Sequence, residues 1–134
     1  MTAERHEPRW LSRLVLDAIQ HDTIATHGGL PGFRDESALE SALTRPRHRF
    51  AYGETADVAE LGAAYGYSIA RNHPYVDGNK RTAFLAMVVF VELNGLRFKA
   101  TEADVVDVML RLAAGEIQEA DLAEWLRKRT AARS

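Results

Sequence analysis

Two apolar stretches, Leu61 to Ile69 and Thr82 to Leu93, constrain this fold most, because both read as helices and the largely polar segment His73-Pro74-Tyr75-Val76-Asp77-Gly78-Asn79-Lys80-Arg81 lies between them. Pro74 prevents the first helix from running on, since the residue before a proline is pushed out of the α region. The second stretch carries Phe84, Leu85, Met87, Val88, Val89, Phe90 and Val91 on nearly every face, the pattern of a central helix covered all round. Asn94-Gly95 supplies its stop, because glycine reaches the left-handed conformation that closes a helix C-terminus. The segment from His73 to Arg81 is therefore expected to be a loop held by two buried helices, and a polar loop held in that way is a rigid site.

The rest of the chain is helical by the same reasoning. Trp10, Leu11, Leu14, Val15, Ala18 and Ile19 recur at intervals of three and four, an amphipathic stripe over 10–19. His27-Gly28-Gly29-Leu30-Pro31-Gly32-Phe33-Arg34-Asp35 is an irregular connection, with Asp35 placed to cap a helix reaching about Leu43 that Pro46 closes off. Arg47 to Ala56 has neither period and is expected to be a loop or short hairpin. Asp57 to Asn72 turns Val58, Leu61, Tyr65, Ser68 and Ile69 to one side. After a short connector at Leu96 to Ala100, Thr101-Glu102-Ala103-Asp104 resembles a capping box opening a helix with Val105, Val106, Met109 and Leu112 inward, ended by Gly115. A last helix, about Glu119 to Arg129, turns Leu122, Ala123, Trp125 and Leu126 inward. The expectation is an all-α bundle of about six helices around a central apolar helix, one domain over 1–134 with frayed tails at about 1–8 and 130–134.

Charge and composition narrow the function. Nineteen acidic against 17 basic residues give a net charge of −2, so no global basic field recruits nucleic acid, and any anion is bound locally. That balance also argues against a DNA-binding role for Arg127-Lys128-Arg129. The chain has no cysteine, which removes thiol nucleophiles and zinc-thiolate sites together. Met1 to Arg9 lacks the apolar core of a signal peptide, and the run Ala83 to Val91 is far short of the roughly 20 residues that span a bilayer. A cytoplasmic protein with no membrane contact is expected.

The polar segment has the inventory that phosphate chemistry needs. Backbone N–H groups at Gly78 to Arg81, just before the central helix, lack intrahelical partners and point at an anion. Lys80 and Arg81 add two cations where a helix N-terminus ordinarily takes acids, so they too ask for an anion. Gly78 lets phosphate oxygens approach the backbone or permits a positive φ. Asp77 would repel bare phosphate, which makes sense if Mg²⁺ lies between them. His73 is the candidate base, since an imidazole accepts a hydroxyl proton near neutrality. Taken singly these residues have bland readings: a histidine after a helix usually caps it, and Asp-Gly is simply a turn. Tyr75 is expected to anchor the loop in the core, the glycine cluster Gly28, Gly29 and Gly32 to be structural, and His6, His21, His27 and His48 to bind no metal.

His73 to Arg81 closely resembles the Fic/Doc (Fido) signature His-x-Phe-x-Asp/Glu-Gly/Ala-Asn-Gly/Lys-Arg, with Tyr75 in the place of the phenylalanine. Gly28 to Asp35, Ala70-Arg71-Asn72 and Glu92-Leu93-Asn94-Gly95 resemble the death-on-curing, or Doc, branch, and the likeness runs from Leu14 to about Trp125. Most members of the superfamily transfer AMP from ATP and carry a glycine followed by two arginines. Here Lys80 stands at the glycine and Phe84 at the second arginine. The resemblance therefore implies a toxin kinase that binds ATP in reverse and moves its γ-phosphate to a threonine of elongation factor Tu. His73 would be the base, Asp77 the Mg²⁺ ligand, and Gly78, Asn79, Lys80 and Arg81 the nucleotide contacts, while Arg47 to Ala56 would be a flap aligning the target chain.

Self-restrained members carry Ser/Thr-x-x-x-Glu-Gly/Asn, and no glutamate of this chain precedes glycine or asparagine. The resemblance so implies a separate brake, a Phd-like antitoxin whose disordered segment folds onto the toxin. Two rivals remain at this point: an AMP transferase on the same fold, and a catalytically silent helical binding module.

Overall fold

The computed structural model describes residues 6–133 as six helices and a small two-stranded ribbon: α1 (Arg13–His27), α2 (Glu36–Ala51), α3 (Val58–Asn72), α4 (Asn79–Leu93), β1 (Leu96–Phe98), α5 (Glu102–Ala113), α6 (Glu119–Lys128) and β2 (Thr130–Ala132). The bundle expected from the sequence is present. Side-chain oxygens open α1, α2 and α5: Ser12 accepts from Val15 N at 3.2 Å, Asp35 from Ala38 N at 3.0 Å, and Thr101 from Asp104 N at 3.1 Å.

The helix at the centre is α3 and not, as expected, α4. From Ala59 to Ala70 all but Glu60 and Tyr67 are buried, whereas α4 leaves Val89 and Leu93 exposed and Phe84, Leu85 and Val88 half-buried. Small side chains decide this. A Cβ on Gly62 would meet Leu126 and Val91 at 3.1 Å, and one on Gly66 would fall 2.5 Å from the Met87 sulfur. Neighbouring helices close onto α3 because it lacks bulk, while the larger residues of α4 fill the gaps from one side.

Three further expectations change. First, α2 does not stop at Leu43; it runs through Pro46 to Ala51. Pro46 lies on its buried face with Leu39, Ala42 and Leu43, and Arg45 and Arg49 on either side both bond Glu119 of α6, so packing overrides the proline's local cost. Of the expected flap, only Tyr52 to Ala56 is irregular.

Second, α1 begins at Arg13 and buries Leu16, Gln20 and Thr23, while Leu14 is 79% exposed and Val15 and Ala18 face outward. The helical period is the expected one, but the buried face is rotated from it. Trp10 and Leu11 precede the helix, with Trp10 stacked on Phe90 and the Leu11 amide donating to the buried Tyr65 hydroxyl at 3.1 Å.

Third, the tail expected to fray at 130–134 is paired: Arg97 lies opposite Ala131 in an antiparallel ribbon, and Arg133 N donates to Gly95 O at 3.1 Å. Ser134, and residues 1–5 of the tail expected at the other end, lie outside the described residues. Among the described residues, no helix is long and apolar enough to cross a membrane.

Candidate active site

His73 closes α3 in the left-handed conformation, φ 48° and ψ 60°, the single non-glycine residue with positive φ among those described. That strain is held from outside. Arg34 donates from Nε and Nη2 to the His73 carbonyl at 3.0 and 2.7 Å and from Nη2 to the Asn72 carbonyl at 3.1 Å. Pro74 O accepts from the amides of Arg34 and Asp35 at 2.7 and 3.0 Å, and Val76 N donates to Gly32 O at 3.0 Å. The glycine-rich segment 28–35 is thus zipped along the loop. The imidazole itself is exposed, and no described residue hydrogen-bonds it.

Two buried side chains brace the loop from within. Asn79, the first residue of α4, accepts from Tyr75 N and donates to Tyr75 O, both at 2.9 Å. Its carboxamide is therefore spent on the loop, and only its backbone faces the role expected of it. Tyr75 is buried, and its hydroxyl donates to Asp17 at 2.9 Å. Burial first, and then the bond to Asp17, push its pKa well above the usual phenol value.

Asp77 is half-buried, and its Oδ2 accepts from Leu30 N at 2.7 Å, while Oδ1 takes no hydrogen bond from the described residues. Gly29 lies close beneath it: a Cβ there would fall 3.0 Å from the Asp77 Cβ, and its φ of 110° is one that only glycine adopts freely. Gln20 of α1, buried, ties both pieces together by donating to Asp77 O at 3.1 Å and to Leu30 O at 3.4 Å. The described residues contain no group of three metal-ligating side chains. One free carboxylate oxygen on a fixed frame suits Mg²⁺, which takes one or two carboxylates and fills its shell with phosphate oxygens and water.

Gly78 caps α4 at φ 76°, and a Cβ there would press on Thr23 and Ile24 of α1 at 3.2 and 3.3 Å. Its lack of a side chain serves the turn and the α1 contact together. Among the described residues the amides of Asn79, Lys80 and Arg81 find no hydrogen-bond acceptor, and the exposed side chains of Lys80 and Arg81 form no ion pair. Acidic residues are missing from the first turn. These groups open on a cleft of about 330 Å³ that runs from Thr23, His27 and Gly28 past Gly78 to Arg81 and ends on an apolar wall, Phe84 with Val105, Val106, Met109 and Leu110. An anion would sit at the polar end and a flat apolar group against the far wall.

The cleft gathers Gly78, Asn79, Lys80 and Arg81; His73 and Asp77 belong to the loop beside it and are not in its lining. A second cleft, about 760 Å³, lies between α2 and α3 and is lined on one side by Arg71 and Asn72, next to His73. Sequence reasoning missed Gln20, Thr23 and the α5 wall. Polar residues three apart on an otherwise amphipathic helix were a signal for the first two. Val106, expected inward, is half-exposed because it borders the cleft.

The sequence profile of the Fic/DOC family matches residues 10–91, which take in α1 to α3, the loop and most of α4. The chain is 36% identical over 121 residues to the protein kinase doc of Escherichia phage P1, covering 90% of this chain and 94% of that protein. It is 40% identical over 86 residues to toxin Doc of Mycolicibacterium smegmatis, covering 63% of this chain and 65% of that one.

Proposed function

This chain belongs to the Fic/DOC family, and on that premise we propose that it is a Doc-like toxin, a protein kinase that moves the γ-phosphate of ATP to a threonine of elongation factor Tu and so arrests translation. The observation that carries this reading is the N-terminus of α4. Its unengaged amides, Lys80 and Arg81 offer concentrated positive charge with no acidic residue in the same turn, at the polar end of a cleft whose other end is apolar.

His73 accepts the proton of the target hydroxyl at an imidazole nitrogen as the hydroxyl oxygen attacks the γ-phosphorus. The bond from that phosphorus to the β,γ-bridging oxygen breaks, and ADP leaves with both electrons. Lys80 and Arg81 hold the charge that collects on the phosphate oxygens. Asp77 would hold Mg²⁺, which supplies charge neutralisation across the phosphates when bound. Asn79 acts through its backbone N–H, its side chain fixing the loop.

Phe84 separates this reading from AMP transfer. Its ring lines the cleft, edge to face with Phe98 at 5.5 Å, at the position where AMP-transferring relatives carry a phosphate-binding arginine. The target chain would align along Tyr52 to Ala56, and a Phd-like antitoxin would be the brake, since the chain lacks the inhibitory motif. A cytoplasmic location follows from that target. ATP labelled at the γ or the α phosphate, supplied with Mg²⁺ and elongation factor Tu, tests the proposal. Label should arrive from the γ position alone, and arrival from the α position alone would replace the kinase by the transferase.

A further inference from the structure

Thr23 is 4% exposed on α1, and its hydroxyl forms no hydrogen bond with any described residue. A threonine inside a helix ordinarily relieves its hydroxyl by donating to the carbonyl four residues back, here Ile19, and Thr23 does not. A buried hydroxyl left unpaired costs free energy, so a fold that keeps one at a cleft has a use for it. Thr23 lines the 330 Å³ cleft, and its methyl group is what a Cβ on Gly78 would meet at 3.2 Å. It therefore stands directly over the turn from which the free amides of α4 emerge.

We propose that Thr23 is a further ligand-binding residue of the site, its hydroxyl donating to a phosphate oxygen of the nucleotide held at the α4 N-terminus. Threonine in a helix divides between two χ1 rotamers, and rotation from one to the other exchanges the methyl now facing Gly78 for the hydroxyl. The anion would then be gripped from two sides, by backbone amides, Lys80 and Arg81 of α4 and by a neutral donor from α1. Because Gln20, one turn earlier on the same buried face, fastens the Asp77 carbonyl, α1 sets the geometry of both halves of the site. The inference rests on the nucleotide reading above.

Thr23→Val keeps the branch and removes the donor, and Thr23→Ser keeps the donor and removes the branch. Titration of each full-length protein with ATP and Mg²⁺ by calorimetry, with thermal unfolding of the ligand-free forms, tests the proposal. Thr23→Val should weaken ATP binding about tenfold, the loss expected for one hydrogen bond to a charged group, without lowering the ligand-free melting temperature. Thr23→Ser should bind within about threefold of the parent, well inside that single-bond loss. Equal affinity of Thr23→Val and the parent would overturn the role of Thr23 while leaving the nucleotide site in place. Equal weakening in both variants, together with lower melting temperatures, would make Thr23 a packing residue and overturn it too. A parent protein that binds no ATP would overturn the nucleotide reading itself, and Thr23 with it.

Discussion

Arg34 holds the carbonyl of His73 with two nitrogens, Nε at 3.0 Å and Nη2 at 2.7 Å, and so keeps the proposed base in a backbone conformation it would not choose alone. Arg34→Ala should let His73 relax and lower kcat by roughly a hundredfold, the scale of a misplacement near 1 Å, while the KM for ATP changes little. Steady-state kinetics against ATP checks the split; a raised KM with unchanged kcat would place Arg34 in nucleotide binding instead.

Asn79 and Tyr75 form the second clasp, two hydrogen bonds of 2.9 Å from one buried carboxamide to one residue's backbone. Asn79→Ala leaves both backbone groups unpaired and should cost about 1–3 kcal/mol of stability. Urea unfolding measures this. A loss of activity with no loss of stability would return the Asn79 side chain to the phosphate contacts.

The loop's placement, its neighbouring helices and its charged residues were legible in the sequence because each rests on local chemistry: a proline after Asn72, a glycine before α4, cations in the wrong turn of a helix. What was not legible depended on partners far along the chain. Pro46 reads as a helix stop until Arg45 and Arg49 are seen bound to Glu119. The apolar run of α4 reads as central until the glycines of α3 are seen to admit Val91, Leu126 and Met87. Gly29 reads as a plain turn residue until Asp77 is found against it.

Gly29→Ala gives that last relation a test. Its methyl would press on Asp77 and displace the carboxylate, so the Mg²⁺ concentration for half-maximal activity should rise about tenfold, as for other supports of a metal ligand. Gly32→Ala is the control. Its φ of 104° carries the same backbone strain, but nothing lies within 4 Å of the new Cβ, and its Mg²⁺ dependence should stay that of the parent.

Burial and the bond to Asp17 raise the pKa of Tyr75, and burial raises that of Tyr65 as well. Above about pH 10 the unfolded chain releases these phenol protons and the folded protein keeps them. The unfolded state then binds fewer protons, so stability is fully present below that pH and falls as pH rises through it. Tyr75→Phe should flatten, without abolishing, the fall in melting temperature above pH 10, Tyr65 accounting for the remainder. An unchanged slope would mean that Tyr75 ionises as readily folded as unfolded.

In the proposed reaction the turn leading into α4 grips a nucleotide's phosphates and His73 takes the proton of the protein hydroxyl that receives the terminal one. Intact-mass analysis of elongation factor Tu, after incubation with this protein, ATP and Mg²⁺, reads that chemistry directly. The expected result is a gain of one phosphate, abolished by His73→Ala at equal folded concentration. A gain of one nucleotide, or a phosphate gain that survives His73→Ala, would contradict it.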